Sequence, residues 1–195
     1  MRDPRGYLEM LGDVTGGAWT VVEKILEPGE HLPSDWRTAG TTGYDSLGWI
    51  DRVLTDARGH YELASLDTKL RGGTPARWDE LIHETKRRMA DHGLAAEIHR
   101  LVRELPEDFP HGAEASYDGL AEIAANFPVY RTYLPEGAEH LREAVAAARE
   151  RRADLDGVLT DLARVLGADA TREADLAEVC LLYTSDAADE GSRAD

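Results

Sequence analysis

The chain has 195 residues, with 38 acidic side chains against 22 basic and a formal charge of −16, a balance that argues against nucleic acid or an anionic membrane as partner because like charges repel. With 42% apolar and 31% charged residues, it has the composition of a globular chain that buries a core, in one or two domains. No apolar run reaches the roughly 18 residues of a membrane span, and Met1-Arg2-Asp3-Pro4 opens polar rather than as a signal peptide, so the expected location is cytoplasmic.

Asp3-Pro4-Arg5-Gly6-Tyr7-Leu8 reads as an N-cap with proline at the first helical position, and the short helix is expected to stop at Gly12. Ala18-Trp19-Thr20-Val21-Val22 is apolar and β-branched without polar alternation, the pattern of a strand buried on both faces, with Glu23 and Lys24 at its C-terminal end. From Glu27 to Gly43 the Pro, Gly, Ser and Thr content predicts a long ordered loop with a Pro28-Gly29 turn. Leu47, Ile50 and Leu54 restore helical spacing. Thr74-Pro75 is expected to start a further helix carrying Trp78, Leu81, Ile82 and Met89 on one face and ending at Gly93.

Leu94, Ile98, Leu101, Val102 and Leu105 form the next helical stripe, and Leu120, Ile123 and Ala124 a shorter one. Phe127-Pro128-Val129-Tyr130-Arg131-Thr132-Tyr133 has strand propensity. Leu141 and Val145 mark another helix, Leu155, Leu159, Leu162 and Leu166 one that stops at Gly167, and Thr171 caps a last one. Two strands about a hundred residues apart cannot make a self-sufficient sheet, so either further strands are missing or the protein is mostly helical.

Residues 180–195 stand apart. Cys180-Leu181-Leu182-Tyr183-Thr184-Ser185-Asp186-Ala187-Ala188-Asp189-Glu190 resembles the in-frame translation of a sequencing-library adaptor, and the segment is expected to be a non-native tail. It holds four acidic residues and one arginine, so without it the charge is −16 + 3 = −13 and the single cysteine is gone.

The candidate sites have unequal force. His83, His92 and His99 are close in sequence, but no pair has the i, i+4 spacing that sets two imidazoles on one helix face, so hydrogen-bonded or solvated histidines are expected and no metal. Gly72-Gly73-Thr74-Pro75 lacks the lysine of a phosphate-binding loop and reads as a helix-entry turn. Gly12, Gly16 and Gly17 precede a strand rather than follow one, unlike a dinucleotide fingerprint. Glu23 has two readings. It sits where an α/β sheet or barrel presents catalytic groups, at a strand's C-terminal end, or it is a surface glutamate paired with Lys24 or an arginine.

Four blocks carry a resemblance. Val21-Val22-Glu23-Lys24-Ile25-Leu26-Glu27-Pro28-Gly29-Glu30-His31-Leu32-Pro33 followed by Trp36, Ala39-Gly40-Thr41-Thr42-Gly43-Tyr44-Asp45-Ser46-Leu47, Phe127 to Tyr133, and Asp3 to Leu8 resemble, in order along the chain, the maltooligosyltrehalose synthases, glucan 1-alpha-glucosylmutases of the alpha-amylase superfamily. The resemblance covers residues 2 to about 179. It implies an α/β fold in which this chain is an internal fragment of a (β/α)8 barrel with helical insertions, predominantly helical here, because a complete barrel takes about 250 residues. On that reading residues 1–55 are a barrel segment with the fifth strand and the acid/base loop, 56–126 a helical insertion, 127–135 a barrel strand and 136–179 a helical segment.

The family rearranges the reducing-end α-1,4 linkage of a maltooligosaccharide to α,α-1,1 with net retention, which takes two carboxylates. The resemblance gives Glu23 the general acid/base role, sets the nucleophilic aspartate just before Asp3 and a third carboxylate beyond Val179, and makes Thr42, Tyr44, Asp45, Arg131 and Tyr133 candidate substrate-binding residues. It implies no cofactor and leaves the isolated fragment without turnover. The competing expectation is a non-enzymatic helical interaction module in which Glu23 is structural.

Overall fold

The computed structural model describes residues 3–167; the expected helix capped by Thr171 and the tail at 180–195 lie outside them. Eight α-helices are found among the described residues: α1 Pro4–Val14, α2 Tyr44–Leu54, α3 His60–Leu70, α4 Trp78–Arg88, α5 Ala95–Arg103, α6 Ala113–Asn126, α7 Ala138–Arg151 and α8 Asp156–Val165. A π-helical turn, Met89–Gly93, joins α4 to α5, and a 3₁₀ turn, Ala153–Leu155, leads into α8.

The helix starts and stops follow local chemistry. Asp3 caps α1 by accepting the Gly6 N–H at 2.8 Å, with Pro4 inside the first turn as its fixed φ and missing donor allow. Gly12 does not end α1. The helix runs to Val14 and closes where Gly16, at φ 67°, lets the Gly17 N–H reach back to the Gly12 carbonyl at 2.7 Å. The same device ends α3, where Gly72 at φ 74° turns the chain and the Gly73 N–H bonds the Thr68 carbonyl at 2.8 Å. Gly72-Gly73-Thr74-Pro75 is therefore the exit of α3, and α4 begins only at Trp78, contrary to the helix-entry reading.

Both expected strands are absent as strands. The described residues carry only two isolated bridges, Val22 with Thr41 in parallel and Tyr133 with Glu136 in antiparallel sense. Trp19 is 79% exposed rather than buried on both faces, and Val21 and Val22 are only half-buried. A β-branched run becomes a strand only when neighbours supply its ladder, and each segment here meets one short partner. The described fold is mostly helical, and the barrel is not seen in it.

The core lies in the second half. α6 packs against α4, α5, α7 and α8, and Leu120, Ala121 and Ile123 meet Leu141, Ala144, Val145, Leu159 and Leu162 in one buried cluster. Residues from 90 to 166 thus share a single core, so the expected insertion and the following helical segment are packed together. Between α6 and α8 the packing at Gly119 is tight: a Cβ there would lie 2.7 Å from Leu162 Cδ1 and 2.9 Å from Val158 Cγ1. By contrast, α2 and α3 have no buried residue, and Trp49, Ile50, Val53, Leu54, Tyr61 and Leu63 are exposed.

A charged layer ties α4 to α6. Arg87 spans Asp91, Asp118 and Glu122, His83 bonds Glu122 at 2.7 Å, and Arg152 at the end of α7 takes the other oxygen of Asp118 at 2.7 Å. Burial by itself would raise the Asp118 carboxyl, but the hydrogen bonds from Arg152 and Arg87 and their charges outweigh it and hold that group below the ordinary carboxylate range.

Candidate active site

The segment leading to Glu23 is held along one edge by residues 39–42. The Val22 N–H donates to the Gly40 carbonyl at 2.9 Å, the Thr42 N–H to the Val22 carbonyl at 3.0 Å, and the Ala39 N–H to the Thr20 carbonyl at 2.8 Å. Because this pairing is parallel, the residues that leave it, Glu23 on one segment and Thr42 on the other, emerge at the same end. Glu23 is exposed there. Gly43, at φ 112°, then turns the chain into α2, which begins with Tyr44 and Asp45. The Thr41 hydroxyl donates to Asp45 Oδ1 at 2.5 Å and holds that carboxyl below its ordinary range. Glu23, Thr42, Tyr44 and Asp45 thus lie around one short parallel pairing and the helix start that follows it.

Glu23 is not paired with Lys24. The Lys24 ammonium turns the opposite way into the protein and forms an ion pair with Glu30, each side chain being 8% exposed. Glu30 also closes its own loop, its Oε2 accepting the Glu27 N–H at 3.0 Å and its N–H donating to the Glu27 carbonyl at 2.9 Å.

Arg131 and Tyr133 belong to a second group. The Arg131 guanidinium lies over the Tyr133 ring at 5.1 Å, and that ring meets Trp36 edge-on at 5.5 Å, with Trp36 buried at 9% exposure. Thr132 Oγ1 donates to the Glu136 carbonyl at 2.8 Å and steadies the turn that follows. Arg5 of α1 bridges the two loops, reaching Asp35 at 2.9 Å and also Glu136. A cavity of about 460 Å³ opens between them, with Lys24, Glu30, His31, Arg131, Tyr133 and His140 in its wall. Glu23, Thr42, Tyr44 and Asp45 are not among its lining residues, so the structure brings the six expected site residues together as a group of four and a pair, with Lys24 at the cavity and Glu23 next to it in sequence.

The three histidines do not converge: His83 bonds Glu122 and His99 packs on Tyr117 with ring centroids 4.6 Å apart. Among the described residues no group of three or more His, Cys, Asp or Glu side chains is arranged to hold a metal ion, and no helix is long and apolar enough to cross a membrane. Sequence reasoning missed the Lys24–Glu30 pair. Its one signal was a lysine and a glutamate on either side of a Pro-Gly turn.

Comparison with known proteins points to one class, synthases that form glycosyl-trehaloses. The chain is 38% identical over 104 residues to a protein of Mycobacterium tuberculosis (strain H37Rv) named as a maltooligosyl trehalose synthase, an alignment that takes in 53% of this chain and 14% of the relative. In fold it is similar to the solved maltooligosyltrehalose synthase of Arthrobacter ramosus, with a TM-score of 0.79 and 40% identity over 93% of this chain and 24% of that one. A mutant of the same enzyme gives 0.80 and 43% over 93% of this chain and 23% of that one. No family model matches. The described fold and the sequence together therefore resemble maltooligosyltrehalose synthases, of which the chain spans less than a quarter of the length.

Proposed function

We propose that this chain supplies the acid/base segment of a maltooligosyltrehalose synthase, an intramolecular transglucosylase that converts the reducing-end α-1,4 linkage of a maltooligosaccharide into α,α-1,1. The observation that carries the reading is Glu23. It is an exposed carboxylate directly after a parallel pairing, beside Thr42, in a chain whose fold matches such synthases.

In a double displacement, protonated Glu23 gives its proton to the O4 of the terminal glucose as the C1–O4 bond breaks and an aspartate takes C1 as a glycosyl ester. The freed glucose turns within the site. Glu23, now a carboxylate, removes the proton of its anomeric hydroxyl, whose oxygen attacks C1 and releases the aspartate. Retention at C1 follows from two inversions. On this reading Thr42, Tyr44 and Asp45, at the start of α2, orient the turning glucose, and Arg131 and Tyr133 bind the sugar through the guanidinium and ring. The bridged segments at Val22 and Tyr133 are read as barrel strands whose neighbours belong to the rest of the synthase, and residues 1–55 and 127–135 as its barrel portions.

The test is a complete enzyme in which residues 3–167 replace the corresponding segment of the Arthrobacter ramosus synthase. Glu23→Gln is expected to lower conversion of maltopentaose by about 10²–10⁴-fold, the usual worth of general acid–base catalysis, with KM and melting temperature nearly unchanged. Near-normal turnover by that variant overturns the assignment. The 195-residue chain alone is expected to show no conversion, since a double displacement needs the second carboxylate.

A further inference from the structure

We propose that Lys24 and Glu30 are positioning residues for Glu23, a buried ionic clamp that fixes the direction in which the catalytic carboxylate leaves the backbone. The inference rests on the acid/base reading of Glu23 and adds two residues that the reading does not use.

Burying an ammonium and a carboxylate costs solvation, so the pair has to be held by geometry and mutual attraction. Here both side chains are 8% exposed and in direct contact. Successive side chains of extended backbone point to opposite sides. Anchoring Lys24 inward therefore drives Glu23 outward, and the structure has it so: Lys24 buried, Glu23 exposed. The residue on the other flank, Val22, is held through both its N–H and its carbonyl by Gly40 and Thr42. Glu23 is thus the free side chain between two fixed neighbours. Glu30 completes the clamp by holding the Glu27 N–H and carbonyl, so the turn at Pro28-Gly29 cannot open without losing the ion pair. A proton donor is effective only when held near its productive geometry, and a misplacement of about 1 Å can cost on the order of 10²-fold.

Two measurements test this. In the 195-residue chain, Lys24→Met is expected to speed amide hydrogen exchange at Val22 and from Glu27 to Glu30 at least about tenfold, with exchange in α6 to α8 unchanged; unaltered exchange there overturns the clamp. In the reconstructed synthase, Lys24→Met is expected to lower kcat on maltopentaose about 10- to 100-fold with KM within about twofold. Glycosyl-enzyme formation from a maltooligosyl fluoride, read as the single-turnover release of fluoride, has a leaving group that needs little protonation and should be kept within about threefold. A purely structural role would depress both substrates together, and that result, or no loss on either, overturns the proposal. Lys24→Arg keeps the ion pair and should recover most of kcat. If Lys24→Met does not fold, Lys24→Arg and the exchanged pair Lys24→Glu with Glu30→Lys carry the same comparison of substrates. Glu23→Gln separates the two ideas: an active Glu23→Gln sinks the acid/base reading, whereas an inactive Glu23→Gln beside an unimpaired Lys24→Met sinks the clamp alone.

Discussion

Arg87 on α4 and Glu122 on α6 are joined at 3.0 Å, and the Glu122 side chain is only 2% exposed. The same guanidinium reaches Asp118 at 2.6 Å, so one cation serves two carboxylates one helical turn apart on α6. Arg87→Met leaves both without that partner in a partly dry interface, where removal of one member of a buried ion pair costs about 3–5 kcal/mol. Urea denaturation of the described helical core should show a loss near the low end of that range, because Arg152, His83 and Asn126 still bond the same two carboxylates at their other oxygens. Glu122→Gln, which keeps a hydrogen-bonding side chain, should cost less.

Acid should weaken this core through Asp118. Its carboxyl is depressed in the folded chain relative to an unfolded value near 3.9. Its contribution is therefore present above about pH 4 and is lost as the pH falls through the folded value. The difference in stability between the parent chain and Asp118→Asn is expected to be constant from about pH 7 to 5 and to shrink below about pH 4. Circular dichroism during acid titration of both proteins reads this directly. A difference that grows toward low pH would contradict it.

Gly119→Ala sets helix propensity against packing. Alanine favours a helix interior by about 1 kcal/mol, but its Cβ would meet the side chains of Leu162 and Val158 inside 3 Å. Leu162 is fully buried and Val158 is stiff at χ1, so neither can swing clear. Overpacking of this kind costs about 1–3 kcal/mol, and the net effect should be a lower melting temperature. Gly48, in α2, has nothing within 4 Å of its ideal Cβ, and Gly48→Ala should be neutral or slightly stabilising.

Local stability should follow burial. The amides of α2 and α3 belong to helices with no buried residue, and isolated helices of this length are marginal in water. Hydrogen exchange in the 195-residue chain is expected to be fast through residues 44–70 and slowest in α6 to α8. Equal protection in both regions would show that the 44–70 face is covered.

Local chemistry was enough to read several elements from the sequence. Asp3-Pro4 starts α1 because the cap and the proline act within a single turn, and Leu155, Leu159, Leu162 and Leu166 form a buried stripe that ends beside Gly167, at φ 78°. The blocks around Glu23, Thr42 to Asp45 and Arg131 to Tyr133 also mark the candidate site residues in the sequence. Partners distant in sequence decided the rest. Val21 and Val22 have strand propensity, yet a strand exists only where other segments complete its ladder, and one bridge to Thr41 does not. The helix His60–Leu70 carries no sharp apolar stripe in sequence, and none of its residues is buried. Arg87, Asp118 and Arg152 are charged residues at unremarkable spacings, and only the packing of α4 and the end of α7 against α6 makes them one network. In sequence Lys24 follows a candidate catalytic residue and is a possible partner for it. The fold buries it against Glu30, because the turn between them brings two opposite charges out of water together, and electrostatic attraction at close range holds what no local periodicity encodes.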